Sequence, residues 1–412
     1  MKNFLYVFLL SCFFAGCNLT SAKNEKTSVE DSLHYYPPTP GKLSKQEFRN
    51  YYRMLDHFFD STLLKKGFNG SILVAKDGLI LYEKYAGFRD LRLRDSLTDT
   101  TSFHLASTSK PFTAMAVLRM VQENRLSLTD SLSHFFPGFP YAGVTVRTLL
   151  NHRSGLPNYV NFMGDSKKWD IKKMVTNEEM LQFLYTKQPK RDFAPDTRFA
   201  YSNTNYVLLA MIIEKISGQP YPEYMKQHLF DPLQMSHTYV CTLDKESTAT
   251  PSFKPNGTFW ERDHLEGTYG DKNIYSTPRD MLKWDQALYT EQFLRKSLLD
   301  SAFAPYSFEK PGIHNYGLGW RMLLMPNGKK VIYHFGRWHG FTPAFARLTD
   351  EKVTIIILGN KFNRNIYNSA HQSYDLFGNY EQRHSENDDE AEPAAPAKKA
   401  VTPARKSSKK KR

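Results

Sequence analysis

Ser107 and Lys110 stand three residues apart at the start of an apolar segment. On a helix, residues i and i+3 share a face, so the amine can come within hydrogen-bond reach of the hydroxyl. Residues 112–121 are mostly apolar, which predicts a buried helix. A buried lysine tends to lose its proton because desolvation disfavours the charged form, and a neutral amine can act as a base. The pair is therefore typical of an activated serine nucleophile.

The Ser-x-x-Lys spacing also occurs at Ser307, Ser407 and Ser408, in less suitable settings. Ser307 stands in a segment that prolines interrupt, which disfavours a helix. Ser407 and Ser408 stand in a lysine-rich tail that has no apolar residues to bury. Among the four serines, only Ser107 precedes a predicted helix, so we predict that it is the nucleophile.

A second polar group follows along the chain at Tyr201-Ser-Asn203. It precedes an apolar run over residues 206–216 that ends at Gly218, as a helix with a C-terminal glycine cap does. Tyr201 and Asn203, two residues apart in a turn, can both point into one cleft. We therefore predict that this turn lies at the start of a helix, with both side chains able to reach one cleft. Tyr159-Val-Asn161 has the same spacing but no apolar helix after it.

A third group, His334-Phe-Gly336, ends a strand-like run that starts at Lys330. It is the only His-x-Gly sequence in the chain. A glycine at the end of a strand allows another backbone or a ligand to approach closely. The glycine therefore indicates a position where a ligand can lie close to the backbone.

In this order, Ser-x-x-Lys, Tyr-x-Asn and His-x-Gly resemble the motifs of the class C β-lactamase and serine D,D-peptidase family, the β-lactamase-related serine hydrolases. The resemblance runs over most of residues 45–375. Three further segments resemble the family, at residues 149–157, 193–203 and 274–282. The likeness therefore rests on several separate stretches of the chain rather than on one short motif.

The resemblance implies acyl transfer in two steps through an acyl-enzyme on Ser107, with Lys110 and Tyr201 as general base and acid. Water then releases the acyl group from an ester, amide or peptide substrate. The substrate-binding residues that it implies are Asn203, His334, Gly336 and Arg337. The backbone N–H groups of Ser107 and Arg337 would form the oxyanion hole.

The sequence departs from the family pattern at three positions. His334 replaces the lysine of the β-lactamases, and Phe335 replaces a threonine whose hydroxyl helps to bind the substrate carboxylate in those enzymes. The loss of that polar contact, about 1 to 3 kcal/mol, favours an esterase or a D-amino-acid-specific peptidase over a β-lactamase. Asp196 replaces a glycine that usually follows Pro195, which we interpret as a changed turn.

The elements that must position these groups are strands at both ends of the domain and helices between them. Residues 70–76 and 79–85 are rich in β-formers and are joined by Asp77-Gly78, a strong hairpin signal. Later strand-like runs cover residues 316–324, 330–334, 343–348 and 352–358, whereas residues 111–300 have a mainly helical pattern. We predict an α+β fold, an α/β sandwich in which the N- and C-terminal segments form one antiparallel sheet flanked by helices, with a large helical insertion. The resemblance implies a β-lactamase/transpeptidase-like fold.

The start of the chain is typical of a bacterial lipoprotein signal. A short apolar run ends in Phe14-Ala-Gly-Cys17, which predicts lipidation at Cys17, with plain secretion or an uncleaved anchor as alternatives. We expect a signal peptide over residues 1–17, a polar linker over 18–42, the hydrolase domain over 43–380 and a disordered basic tail over 381–412. The predicted location is the cell envelope, with a lipid anchor in the membrane and the domain facing the periplasm or the exterior.

Composition constrains the partners. The formal net charge is +13, which favours acidic substrates, anionic envelope polymers or phospholipid headgroups, although the tail can equally be only a solvated charged end. We expect no nucleic acid partner for an exported protein.

Cys241 alone remains in the mature domain, so no internal disulfide is expected. The sequence contains no metal-ligand or phosphate-loop motif, so we expect no metal and no cofactor. The alternative function is a surface scaffold that has kept the fold and lost catalysis.

Overall fold

The computed structural model describes residues 35–381, which belong to one compact unit. The predicted signal peptide, its Cys17, most of the linker and nearly all of the basic tail lie outside the described residues. Within the described range the strands are β1 (Gly70–Lys76), β2 (Leu79–Ala86), β3 (Phe88–Asp90), β4 (Asp95–Ser96), β5 (Phe103–His104), β6 (Tyr239–Val240), β7 (Ile274–Ser276), β8 (His314–Tyr316), β9 (Arg321–Leu324), β10 (Lys330–Phe335), β11 (Ala344–Leu348) and β12 (Val353–Gly359). The helices are α1 (Lys45–Thr62), α2 (Lys110–Gln122), α3 (Leu132–Phe135), α4 (Val146–Leu150), α5 (Tyr159–Met163), α6 (Asn177–Lys187), α7 (Asn203–Ser217), α8 (Tyr221–Met225), α9 (Pro278–Ala287), α10 (Lys296–Ala302) and α11 (Asn365–Ser373).

The main sheet has seven strands in the order β2-β1-β12-β11-β10-β9-β8. All neighbouring strands are antiparallel, and β1 pairs with β12 from Gly70 opposite Gly359 to Lys76 opposite Val353. The two N-terminal strands thus join five C-terminal strands in one sheet. This arrangement and the neighbouring helices confirm the predicted α+β fold.

The turn between β1 and β2 consists of Asp77 and Gly78 alone. Both residues have positive φ angles, 47° and 75°. A two-residue turn with two positive φ angles matches the right-handed twist of the strands it connects, which is why Asp-Gly favours it. The predicted hairpin is confirmed.

The run over residues 316–324 was expected to be one strand, and the structure divides it into β8 and β9. Gly319 between them has a φ angle of 90°, a conformation that favours glycine. The chain reverses there, and the two segments pair with each other, Tyr316 opposite Arg321. The two glycines of Gly317-Leu-Gly319 are the signal that this prediction missed.

The two faces of the sheet pack against different helices. On β12, Ile355 and Ile357 belong to a buried cluster with Leu55 and Phe59 of α1. The alternate β12 residue Ile356 belongs to the larger core, which includes helices α2, α7 and α9. Because side chains alternate across a strand, one run of apolar residues supplies both faces. The sheet is therefore the middle layer of three.

The segment between β2 and β8 is mainly helical, as predicted, but it also contains a small sheet of β5, β7 and β6. Phe103 pairs with Ser276, and Tyr239 pairs with Tyr275. Strands of two or three residues are too short to give a recognisable alternation, so the sequence analysis missed them. This sheet is important because β5 leads directly to Ser107.

The described residues contain no helix that is both long and apolar enough to cross a membrane. Cys241 is buried and forms no disulfide. Burial raises the pKa of its thiol to about 12, so the side chain acts as a small apolar group.

Candidate active site

Ser107 lies in a single 3₁₀ turn, Ala106–Ser109, that connects β5 to α2. Two contacts from the small sheet hold this turn: Leu105 donates to the carbonyl of Ile274 at 2.8 Å, and Ile274 donates to Ser109 Oγ at 3.2 Å. Ala106 has a φ angle of 46°, which is unusual for a residue with a side chain. Backbone strain of this kind often occurs where a side chain must be presented to a site.

The amine of Lys110 lies 2.9 Å from Ser107 Oγ. Lys110 is fully buried at the first turn of α2, and Ser107 is only 4% exposed. The same amine donates to the main-chain oxygen of Asp271 at 2.9 Å. The structure therefore brings together the hydroxyl and the amine that the sequence paired.

Tyr201 lies against this pair. The centre of its ring is 4.9 Å from Lys110 Nζ and 5.3 Å from the guanidinium carbon of Arg321, a residue of β9. Cations at these distances are attracted to the face of an aromatic ring. Tyr201 thus lies against two basic side chains.

His152 supports the Tyr201 segment from behind. Its ring lies 4.3 Å from the Tyr201 ring, and its Nδ1 accepts from the backbone N–H of Ser202 and from Asn205 Nδ2, both at 3.2 Å. Burial, with the positive charges of Lys110 and neighbouring groups, holds the pKa of His152 well below its usual value. A neutral ring that accepts these bonds supports the segment that carries Tyr201.

Asn203 is the first residue of α7, and it is buried beside Tyr201. Its backbone N–H donates to Asn158 Oδ1 at 3.3 Å. The helix runs from there to Gly218, whose φ angle of 73° ends it as expected. The predicted helix after the Tyr-x-Asn motif is therefore present, and it fixes the position of the motif.

His334 is fully buried on the face of β10 that is directed toward Tyr201, with ring centres 6.4 Å apart. Its Nδ1 donates to the carbonyl of Phe335 at 2.8 Å, and its Nε2 accepts from the hydroxyl of Tyr316 at 3.1 Å. Burial, with the charges of Arg321 and Lys110, holds the pKa of His334 well below its usual value. The site therefore has a neutral imidazole where the related β-lactamases have a lysine.

Gly336 follows β10 and lies directly against the Ser107 turn. A side-chain carbon added there would stand 2.7 Å from the backbone nitrogen of Ser107 and 2.8 Å from the oxygen of Leu105. Thr108 reinforces the contact, since its hydroxyl donates to the carbonyl of His334 at 3.1 Å. The glycine is thus needed for the close approach of two backbone segments, as the sequence indicated.

Phe335 points to the opposite face of β10, toward α11. Its ring stacks on Tyr367 with centres 5.6 Å apart and lies 5.0 Å from the ring of His371. The hydroxyl of Tyr367 donates to the carbonyl of Gly336 at 2.6 Å. Phe335 therefore supports the strand from behind.

The loop after Gly336 is attached to Glu266. Trp338 Nε1 and His339 Nε2 both donate to Glu266 Oε1, at 3.0 and 2.7 Å. Burial alone raises the pKa of Glu266, but the hydrogen bond and charge of His339 outweigh it and lower the pKa to about 2. The Arg337 guanidinium lies 4.8 Å from the centre of the Phe362 ring.

Asp263, Glu266 and His339 are the described residues whose geometry suits a metal ion, with ligand atoms within 4.8 Å of one another. Glu266 Oε1 already accepts two hydrogen bonds, from Trp338 and His339. The position of the carboxylate is therefore explained by its attachment to the loop after Gly336. The expectation that no metal is needed stays a prediction.

Sequence reasoning missed Arg321, Tyr316, Asp271 and Glu266 as neighbours of the site. Arg321 and Tyr316 flank the β8–β9 turn that was not recognised, and the Gly-Leu-Gly-Trp sequence is the signal for it. Asp271 contributes its main-chain oxygen, which any residue type could supply, so no sequence signal exists for it.

The unusual Asp196 has a structural explanation. Its φ angle is 63°, in the left-handed region that favours the family's glycine. Its carboxylate accepts from Arg153 Nε at 2.7 Å, and its main-chain oxygen accepts from the same guanidinium at 2.8 Å. The aspartate thus keeps the turn and adds an ion pair to it.

Comparisons with known proteins identify the family. The sequence profile of the family described as Beta-lactamase matches residues 61–376. Penicillin-binding protein 4* of Bacillus subtilis (strain 168) is 33% identical over 340 residues, which cover 78% of this chain and 74% of the relative. The resemblance noted from the motifs is therefore confirmed.

Solved structures give the same fold. The octameric penicillin-binding protein homologue from Pyrococcus abyssi has a TM-score of 0.68 and 26% identity, and the match covers 79% of this chain and 78% of that one. The D-amino acid amidase from Ochrobactrum anthropi SV3, complexed with L-phenylalanine, has a TM-score of 0.66 and 22% identity, covering 80% and 98%. The second match shows likeness of fold alone. The family profile covers most of the chain, and the matched range contains Ser107 and Lys110. This protein therefore belongs to the beta-lactamase family of serine hydrolases.

Proposed function

We propose that this protein is an exported serine hydrolase that transfers the acyl group of an ester, amide or peptide substrate through an acyl-enzyme on Ser107. One observation carries the proposal: the buried amine of Lys110 lies 2.9 Å from Ser107 Oγ, with the Tyr201 ring against the same amine. A base within hydrogen-bond reach of a hydroxyl is the arrangement that activates a serine.

In the first step Ser107 Oγ attacks the carbonyl carbon of the substrate. The Oγ–C bond forms, the hydroxyl proton passes to the neutral amine of Lys110, and the carbonyl oxygen becomes an oxyanion. Tyr201, next to the same amine, then gives its phenol proton to the leaving group as the C–N or C–O bond breaks and the carbonyl re-forms, and the proton held by Lys110 replaces it. Water repeats the sequence on the acyl-enzyme and frees the acid and Ser107.

The oxyanion would be bound by the backbone N–H groups of Ser107 and Arg337. This assignment is supported by the position of Gly336, which brings the end of β10 against the nitrogen of Ser107. Asn203, buried beside Tyr201, would orient the substrate amide or ester.

The substrate class is inferred from the motif His334-Phe-Gly336, which lacks the threonine hydroxyl of the β-lactamases. Phe335 supplies no hydroxyl and stacks on Tyr367, and His334 is buried with both nitrogens engaged. These features favour esters, or amides of D-amino acids, over β-lactams. Arg337 is the cation that could still pair with a substrate carboxylate, because a guanidinium binds carboxylates in a two-bond geometry. The similar Bacillus subtilis protein is named as a penicillin-binding protein, which makes a penicillin a necessary test compound.

Export and attachment to the membrane through Cys17 belong to the same proposal. They rest on the short apolar run and the lipobox-like Phe14-Ala-Gly-Cys17. A hydrolase held at the cell envelope would act on acyl groups in that compartment, including peptides derived from the cell wall. The basic tail would favour anionic surfaces there.

The test is intact mass spectrometry of the full-length protein after separate incubation with p-nitrophenyl acetate and with benzylpenicillin. Ser107→Ala is the matched control, since it removes one oxygen and leaves the turn in place. A penicillin opens without losing a leaving group, so a penicilloyl adduct adds the mass of the whole penicillin. An acetyl adduct replaces the hydroxyl hydrogen of Ser107 and releases p-nitrophenol.

Acetylation or turnover with the ester alone, absent in Ser107→Ala, would support an esterase or amidase. A penicilloyl adduct on Ser107 would support a pocket for peptide-like carboxylates despite Phe335. If neither compound modifies the wild-type protein, and a panel of D-amino acid amides is not hydrolysed, the acyl-enzyme proposal is wrong and the scaffold function becomes the better one.

A further inference from the structure

Tyr367 is a residue of α11, a helix that contributes no group to the mechanism above. Its hydroxyl donates to the carbonyl of Gly336 at 2.6 Å. Its ring is held nearly parallel to that of Phe335, with 15° between the planes and 5.6 Å between the centres. The hydroxyl is therefore directed at one specific peptide group, the one that joins Gly336 to Arg337.

The orientation of this carbonyl determines the orientation of an N–H group. In a trans peptide the C=O of one residue and the N–H of the next lie in one plane and point in opposite directions, and the chain contains no cis peptide bond among its described residues. Because Tyr367 holds the carbonyl of Gly336 toward α11, the N–H of Arg337 points away from α11.

Ser107 lies on the side to which that N–H points. Phe335 packs on α11, whereas the position of the absent side chain of Gly336 faces the backbone nitrogen of Ser107. Consecutive residues of a strand alternate between its faces. The N–H of Arg337 is thus directed to the face that carries the nucleophile.

We propose that Tyr367 is a positioning residue that aligns the Arg337 N–H as the second donor of the oxyanion hole. The inference rests on the proposed acyl transfer at Ser107 and adds to it a group on the far side of the sheet. The Tyr367 hydroxyl touches no substrate. It prevents the Gly336–Arg337 peptide from rotating when charge develops on the substrate oxygen, so the donor needs no reorganisation during the reaction.

The experiment compares Tyr367→Phe with Tyr374→Phe in the full-length protein. Tyr374 directly follows α11 and is buried, with its ring against His371 and Tyr380. Each variant is assayed for the acylation rate constant with p-nitrophenyl acetate and for the affinity of phenylboronic acid. The boronic acid forms a tetrahedral adduct on a serine and places an oxygen in the oxyanion hole, so its affinity reports on the hole itself.

For Tyr367→Phe we expect acylation to slow by about tenfold to a hundredfold and the boronic acid to bind more weakly by a similar factor. Tyr374→Phe should leave both values within about twofold. Equal values for Tyr367→Phe and the wild type, or slower acylation with unchanged boronic acid affinity, would overturn the inference.

Tyr367→Gln and Tyr367→Leu provide a second pair of similar size, of which only the first keeps a hydrogen-bond donor. Gln should recover part of the acylation rate that Leu loses, and equal rates in the two variants would again overturn the inference. A wild-type protein that shows no Ser107-dependent reaction with either probe would instead refute the proposed function itself.

Discussion

The amine of Lys110 lies 2.9 Å from the main-chain oxygen of Asp271. This oxygen belongs to the segment just before β7, far from α2 in sequence, and it accepts one of the amine's hydrogens. This hydrogen bond restricts the rotation of the amine, which also lies 2.9 Å from Ser107 Oγ. A neutral carbonyl orients the base without adding a negative charge beside it, which would favour the protonated amine.

Replacing Lys110 by methionine should lower the acylation rate by about 10² to 10⁴, the range for loss of a general base. Methionine keeps the apolar stem of the side chain and removes the amine. Lys110→Arg should not restore activity, because a guanidinium stays protonated and cannot take the proton of Ser107. Burst kinetics with p-nitrophenyl acetate measure the rate, and the thermal midpoint checks folding. A folded methionine variant with a rate within tenfold of wild type would contradict the role of Lys110.

Gly336→Ala should reduce acylation by at least about tenfold, because the added carbon would stand 2.7 Å from the nitrogen of Ser107 and force two backbones apart. Gly378→Ala is the matched control. The carbon added there would meet only side-chain atoms of Glu351, Tyr380 and Lys329, which can move. Both variants are assayed with p-nitrophenyl acetate, and equal activity in the two would show that the close approach at Gly336 is unimportant.

Arg321 is expected to help keep the Lys110 amine neutral, since both side chains lie against the Tyr201 ring, at 5.3 and 4.9 Å from its centre, and a neighbouring positive charge disfavours a second one. Arg321→Met should therefore shift the acidic limb of the pH–rate profile for acylation to higher pH. At pH 7 the rate should fall by about tenfold. Arg321→Lys restores a positive charge and should move the limb part of the way back. An unchanged limb in Arg321→Met would exclude this electrostatic role.

Acid should destabilise the fold partly through His104. Burial lowers the pKa of His104 to about 4, although Glu266 and Asn273 oppose the shift. Its Nδ1 accepts from the N–H of Ala106 at 2.8 Å, and its Nε2 contacts Asn273 Oδ1 at 2.7 Å. Protonation at Nδ1 would place its N–H against the N–H of Ala106, and the hydrogen bond between them would be lost.

Between about pH 6.5 and pH 4 the unfolded chain therefore binds a proton at His104 and the folded protein does not. Stability falls as pH decreases through this window, by at most about 1.4 kcal/mol per pH unit for this residue. In His104→Gln the dependence of unfolding free energy on pH should be shallower, measured by urea denaturation at several pH values. His57→Gln, which removes an exposed histidine of α1, should keep the wild-type slope. A His104→Gln slope equal to that of the wild type would contradict the prediction.

Local sequence signals predicted those parts of the site that depend on local chemistry. Ser107 and Lys110 share one turn, so their contact follows from helix spacing. The turn at Asp77-Gly78 and the helix end at Gly218 each depend on a glycine in a conformation that few other residues adopt. The antiparallel sheet followed from the clustering of strand-like runs at both ends of the domain.

The remaining contacts of the site depend on long-range packing, which local patterns do not record. The carbonyl of Asp271 and the hydroxyl of Tyr367 meet their partners only after distant segments have packed together. Likewise, the small sheet of β5, β6 and β7 has strands too short to show a period. The family resemblance supplied the roles of Asn203 and Arg337, which neither spacing nor composition could have assigned.

The pairing of β1 with β12 has a consequence for the biosynthesis of the protein. A ribosome completes Ser107, Lys110 and Tyr201 long before it reaches residues 353–359, which must lie between β1 and β11 in the sheet. Until then β1 lacks its partner on one edge, and β10 with Gly336 has no complete sheet to hold it against the serine turn. The nascent chain therefore carries its reactive groups while the reaction site is still unassembled, and pairing over so long a sequence separation makes folding slow. A chain of this topology therefore assembles its reaction site only after the last strand of the sheet has been synthesised and paired.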